Sequence, residues 1–253
     1  VRAGAPAGWR LQAHERLAST QDTAIEAAKS GDPGHLAILA AEQTNGRGSR
    51  GRAWQGATGN LHLSALVRPQ NLPPQPGFWA LMAGVSLHEA VSPHVADASR
   101  LLLKWPNDLL LDGAKLGGIL IDSAVTAHGM LDWVVIGIGV NLHEAPGIEG
   151  RATASLAGTH IESVAVAQDI LANFDCWISE PLPTLRDAWL DRAQPIGTWL
   201  TITTGTHTSA GAFAGLAEDG GLLLSGHQEP ITTGEVFAAQ GVCRAGGIDA
   251  AGR

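Results

Sequence analysis

Residues 101–140 read LLLKWPNDLLLDGAKLGGILIDSAVTAHGMLDWVVIGIGV. Four apolar runs, at 101–104, 108–111, 115–121 and 131–140, are short and separated by turn residues, which predicts four strands. Asp112-Gly113 between the second and third runs is a two-residue hairpin signal, because both residues tolerate the positive φ that such a turn requires. No helix fits between the runs. Consecutive strands must therefore pair as an antiparallel meander rather than alternate with helices in βαβ units.

Outward from this stretch, residues 19–31 predict a helix, with Ser19 or Thr20 as cap, Asp22 in the first turn, Lys29 in the last and Gly31 to end it. Strands follow at 35–43 and 61–67. Pro69, Pro73, Pro74 and Pro76 mark a loop. Phe78, Leu81, Met82, Val85 and Val91 recur at helical spacing, as the core-facing stripe of a helix over 78–91. Two more helices are expected at 161–179 and 183–192. From Thr198 the pattern turns to short strands between glycines, including 222–224 and 235–238. A domain boundary is placed at 194–198, dividing the chain into 1–196 and 197–253. The Gly/Ala-rich stretch after Arg244 reads as a loose tail.

With 45% apolar and 16% charged residues, the 253-residue chain can bury a core and is not of disordered composition. It carries no apolar run of membrane-spanning length and no basic-then-apolar leader, so no membrane partner is expected. Cys176 and Cys243 stand far apart without metal-ligand spacing, which suits a reducing cytoplasm. The net charge of -8 argues against general nucleic-acid binding. Arg47, Arg50 and Arg52 reverse that charge locally, within six positions.

Four motifs carry candidate chemistry. In Gly46-Arg47-Gly48-Ser49-Arg50-Gly51-Arg52, glycines let backbone N–H groups approach an anion and arginines add forked, charge-assisted hydrogen bonds. The spacing also fits Gly-x-Gly-x-x-Gly, but a dinucleotide site needs a helix directly after the glycines and an acidic residue about 20 positions on. Residues 53–60 are not helix-like, and the acidic position falls near Asn71. Lys104-Trp105-Pro106-Asn107-Asp108 sets a cation, an amide and a carboxylate at a strand junction. Lys115-Leu116-Gly117-Gly118-Ile119-Leu120 opens a strand with a lysine and places adjacent glycines where a ligand could approach. Gly137-Ile138-Gly139-Val140-Asn141 ends an apolar strand with two glycines and an amide. Each alone also reads as an ordinary turn or solvated edge. The ten histidines show no zinc spacing, and neither a P-loop nor a Gly-x-Ser-x-Gly elbow is present.

Taken in order, Ser19-Thr20-Gln21-Asp22, Gln43, the Gly46–Arg52 loop with Trp54, and the three later motifs resemble those of the biotin protein ligases. The resemblance runs from about Gln12 to Asn141. It continues in Phe213-Ala214-Gly215-Leu216 and in residues 219–224, which are similar to that family's small SH3-like domain. It implies an α+β fold, with a class II synthetase-like mixed or antiparallel sheet backed by helices, plus a small C-terminal SH3-like β-barrel. It implies ATP, biotin and Mg²⁺, with a biotin carboxyl carrier protein as partner. Both monomers and homodimers are compatible with it. Biotin's carboxylate would attack the α-phosphate of ATP, and a carrier lysine would then displace AMP.

On this sequence the resemblance assigns Lys115, Arg47 and Asp108 to catalysis, the last to position and deprotonate the incoming lysine. Ser19, Thr20, Gln21, Gln43, Arg47, Gly48, Ser49 and Lys115 would hold biotin. Arg50, Arg52, Trp54, Asn107 and Asn141 would hold ATP, and no residue is assigned as a metal ligand. Ser49 stands where many relatives carry another arginine linked to retaining the adenylate, and Gln21 replaces a common asparagine. The start of the chain close to Ser19 leaves no room for the helix-turn-helix of repressor-type members, so a short form is expected. A lipoate or octanoate protein ligase, and a non-catalytic biotin- or nucleotide-binding module, are the alternatives.

Overall fold

In the computed structural model, residue 6 and residues 8–69, 76–158 and 161–238 are described. A seven-stranded sheet forms the body. Its strands are β1 (Arg10–Leu17), β2 (Leu36–Gln43), β3 (Leu61–Val67), β4 (Leu101–Lys104), β5 (Asp108–Leu111), β6 (Ala114–Val125) and β7 (Leu131–Val140), in the order β1-β2-β3-β7-β6-β5-β4. The run from β4 to β7 is the expected antiparallel meander. Asp112 and Gly113 have φ of 51° and 77°, as a two-residue hairpin with both central residues left-handed demands. The β1–β2 pair is parallel, which makes the sheet mixed. Strand β1, RLQAHERL, escaped the sequence reading because it is a polar edge without apolar alternation.

The two faces are used differently. Helices α2 (Pro76–Val91), α3 (Ser163–Trp177) and α4 (Leu182–Leu190) cover one face, where Leu63, Ala65, Ile136 and Ile138 join Leu81, Met82, Ile170 and Phe174 in the main core. Helix α1 (Thr20–Lys29) lies on the other face, packing Ala24 and Ala28 against Ile38, Leu66 and Val135. Ser19 caps α1, its Oγ accepting from the Asp22 N–H at 3.3 Å. Being short, α1 leaves the rest of that face uncovered. The cleft lies there.

A second antiparallel sheet, β10-β9-β8-β11, is built from β8 (Trp199–Thr204), β9 (His207–Leu216), β10 (Leu222–Leu224) and β11 (Glu235–Ala238). Its Leu200, Ile202, Phe213 and Val236 are continuous with the main core, and Trp105 Nε1 donates to the Gly220 carbonyl at 3.1 Å. Among the described residues no helix is long and apolar enough to cross a membrane. The sequence expectations for Pro73, Pro74 and the tail after Arg244 lie outside the described residues.

Candidate active site

Strand register decides what the cleft floor is made of. Directly paired residues share a face, so one row runs Asp108–Gly118–Gly139–His62 and the next Leu120–Gly137–Ser64. Three glycines thus lie where four strands meet. The Trp54 indole lies across two of them: a Cβ on Gly139 would come within 2.3 Å of that ring, and one on Gly118 within 3.3 Å. Strict alternation from Gly118 would turn Lys115 away from the cleft. A bulge between Leu109 and Leu110 leaves Leu116 as the extra residue and pairs Lys115 with Leu110, which restores Lys115 to the cleft face.

The cavity above this floor measures about 480 Å³. Of the residues expected from the sequence, Thr20, Gln21, Gln43, Arg47, Gly48, Ser49, Arg52, Trp54, Asn107, Lys115 and Asn141 line it. Ser19, Asp108 and Arg50 do not. Ser19 is buried as the α1 cap, and Arg50 reaches sideways to Glu235, Nη1 to Oε2 at 3.6 Å. Beyond a three-residue 3-10 turn at Ser49–Gly51, the arginine loop starts no helix. It closes as a small excursion, with the Trp54 N–H donating to the Gly46 carbonyl and the Gly48 N–H to the Arg52 carbonyl, each at 2.8 Å. The context required for dinucleotide binding is therefore missing.

At one end of the cleft the polar groups form a continuous chain from Gln43 to Gln21. The backbone N–H of Thr20 donates to Gln43 Oε1 at 2.8 Å, and Thr20 Oγ1 does so at 3.1 Å. Ser64 Oγ lies 2.9 Å from both Thr20 Oγ1 and Gln21 Oε1. Arg47 bridges two carboxylates, Asp22 Oδ1 at 2.9 Å and Asp122 at 3.4 Å.

Lys115 and Asp108 are in contact farther along, and Lys104 Nζ reaches the other Asp108 oxygen at 3.2 Å. Burial would raise the Asp108 carboxyl, but the two ammonium groups outweigh it and hold it below the usual range. Burial lowers Lys115, against the pull of Asp108. Lys115 Nζ also sits 5.6 Å from the Trp54 ring centroid, within cation–π range. The Asn107 amide donates to the Ile119 carbonyl at 2.7 Å, and that of Asn141 to the Ala154 carbonyl at 3.0 Å. Asn141 Oδ1 and Trp54 Nε1 are buried without a partner, two polar atoms at the cleft wall that a bound molecule could satisfy.

Several site residues escaped the sequence reading. Glu235 on β11 gathers the Arg50, Arg52 and Arg151 guanidinium groups, with Arg52 at 2.6 Å. Burial would raise its carboxyl, but these arginines hold it below the usual range. Arg151 and Thr153 come from the long connection after β7 and line the cavity. Ser64 sat inside a predicted strand and could have been found by asking which face it shares with the glycines, and Asp22 was quoted in its motif without a role in the site. Glu235 and Arg151 carried no local signal. Only the fold brings them there.

These features match a known group of proteins. The family model described as "Biotin/lipoate A/B protein ligase family" matches residues 13–141. The "Biotin--[acetyl-CoA-carboxylase] ligase" of Paracoccus denitrificans is 37% identical over 237 residues, covering 87% of this chain and 98% of that protein. The "Bifunctional ligase/repressor BirA" of Bacillus subtilis is 31% identical, over 86% of this chain and 70% of that protein. The solved structure of the biotin protein ligase from Aquifex aeolicus in complex with biotin and ATP superposes with a TM-score of 0.74. That match covers 90% of this chain and 97% of the other at 23% identity, a likeness of fold. On the strength of the family model and of relatives matched along most of their length, this chain belongs to the biotin/lipoate A/B protein ligase family.

Proposed function

We propose that the chain is an ATP-dependent biotin–protein ligase which activates biotin as biotinyl-5′-AMP and passes it to a lysine of a biotin carboxyl carrier. The observation that carries this reading is the convergence of Arg47, Arg52 and Lys115 on one cleft of an acidic molecule, beside a polar end built by Thr20, Gln21 and Gln43. In the first step a biotin carboxylate oxygen attacks the α-phosphorus, an acyl–phosphate bond forms and pyrophosphate leaves. In the second the lysine nitrogen attacks the acyl carbon, the C–O bond to AMP breaks, and the nitrogen loses a proton as the amide forms.

Thr20, Gln21 and Gln43 would receive the ureido ring, since a ligand amide buried without partners is costly. Ser19 would contribute by fixing the start of α1, while Gly48 and Ser49 would close over the activated acid. Lys115, with Arg47, would stabilise charge growing between carboxylate and α-phosphate. Arg50 and Arg52 would face the triphosphate after exchanging Glu235 for it, and Trp54, Asn107 and Asn141 would hold the nucleoside. Asp108, depressed by two lysines, would serve to hold Lys115 and orient the incoming amine. Alignment and neutralisation supply most of the acceleration in such a scheme.

Magnesium would accompany ATP's phosphates. Among the described residues no group of three His, Cys, Asp or Glu side chains forms a cage for it. The division at 196/197 belongs to the same proposal, as does a monomeric or homodimeric state. Incubating the protein with ATP and labelled biotin or lipoate, with and without carrier, tests the function. Biotin-dependent pyrophosphate release and label on the carrier are expected; turnover of lipoate alone would reassign it.

A further inference from the structure

The carboxamide of Gln21 is held at both ends, by Asp122 and the Val135 carbonyl at its nitrogen and by Ser64 at its oxygen. Gln21 is 3% exposed. Its Nε2 donates to Asp122 Oδ2 at 2.9 Å and to the Val135 carbonyl at 3.3 Å. Both of those oxygens only accept, so the two N–H bonds of the amide are spent on them and its orientation is forced. Oε1 is therefore turned the other way, toward the floor, where a Cβ on Gly137 would come within 2.4 Å of it. Ser64 Oγ lies 2.9 Å from that oxygen and can fill one of its lone pairs. Gln21 lines the cavity, and among the described residues Ser64 is the one hydrogen-bond partner of this oxygen, so it can accept once more.

We propose that Asp122 is a positioning residue for vitamin specificity: by taking the Gln21 N–H, it fixes the carboxamide so that the ring end of the cleft presents an acceptor to a ureido N–H. This deepens the reading given above and rests on it. An alkyl or dithiolane tail has no N–H to offer, so the same oxygen, buried and short of one partner, disfavours it. Without Asp122 the amide can rotate and present N–H instead, which opposes a ureido N–H and removes the discrimination. Asp122 also touches Arg47, so its removal could act through the arginine loop. Asp22 is the control, because it holds Arg47 at 2.9 Å and has no hydrogen bond to Gln21.

The test measures binding of biotin and of biotin methylated at each ureido nitrogen in turn, using wild type, Asp122→Leu, Gln21→Met and Asp22→Asn, each checked for folding by its melting curve. In the wild type, one methylation is expected to weaken binding by about tenfold or more, the scale of one hydrogen bond in a buried site. In Asp122→Leu and Gln21→Met that penalty should shrink to about twofold or less, while Asp22→Asn keeps it in full. General damage lowers affinity for all three ligands alike and leaves the ratio standing. A full penalty in both Asp122→Leu and Gln21→Met, or no penalty in the wild type, overturns the proposal. Loss of the penalty in Asp22→Asn also overturns it, because the effect would then run through Arg47. A wild type that turns over lipoate and ignores biotin fails differently, by removing the reading on which this one rests.

Discussion

Replacing Asp108 with asparagine removes the carboxylate that two lysines share. Asp108 is 8% exposed, and the side chains of Lys104 and Lys115 are 17% and 14% exposed, so water can replace little of the lost charge. Deleting one member of such a buried group leaves uncompensated charge and typically costs about 3–5 kcal/mol. For a chain of this size each kcal/mol moves Tm by roughly 2–4 °C, so Asp108→Asn should melt about 6–20 °C lower. The double variant Asp108→Asn/Lys115→Met removes one stranded ammonium and should regain at least half of the loss. The pH dependence has a definite sign. The folded pKa of Asp108 lies below its unfolded value, so the stabilisation is complete above about pH 4 and is lost as pH falls through the folded value. The gap between wild type and variant should therefore be widest near neutrality and close in acid. Differential scanning fluorimetry across pH reads all of this. A single variant melting within about 1 °C of wild type at pH 7 would refute the assignment of Asp108 as the counter-ion of both lysines.

Three further outcomes are expected. Gly139→Ala drives a methyl into the Trp54 indole, and the overpacking should cost about 1–3 kcal/mol and weaken ATP binding at least tenfold by calorimetry, whereas Gly113→Ala, in open space but strained at its φ of 77°, should lower stability and leave ATP binding alone. Glu235→Gln unties Arg50, Arg52 and Arg151 from β11, so trypsin should cut after Arg50 or Arg52 roughly fivefold faster; an unchanged rate counts against the tether. Because burial lowers Lys115, its positive charge is lost at a lower pH than that of a free lysine, and the adenylation rate should decline on the alkaline side through that range. Lys115→Arg should move the alkaline limb upward even if the rate falls, and an unmoved limb assigns the titration elsewhere.

Legibility in the sequence followed locality. Asp112-Gly113 announced a hairpin because two adjacent residues set the turn, and the meander followed from the spacing of its strands. Helix α1 announced itself through Ser19, Asp22 and Lys29, all within one element. Strand β1 did not, because its pairing with β2 buries little apolar surface and its side chains are mostly polar. The expected helix at 78–91 begins at Pro76, in the first turn, where a missing N–H does no harm. At the site, the motifs named the residues but not their partners. Nothing near Arg52 in the chain points to Glu235, 183 positions away, and nothing near Gln21 points to Asp122. The bulge at Leu116 was equally hidden, although it decides whether Lys115 sees the cleft at all.

A sheet surface paved by Gly118, Gly137 and Gly139 bears no side chains of its own, so what lies on it is selected by thickness. The Trp54 indole shows the gauge: a planar ring fits, and a methyl standing up from the floor collides with it. An inhibitor aimed at this spot should therefore meet the indole at its edge, with one acceptor for the free N–H, and leave the floor to the ring that already covers it. Resistance by enlarging the floor would be self-defeating, because a side chain there shuts out the indole itself.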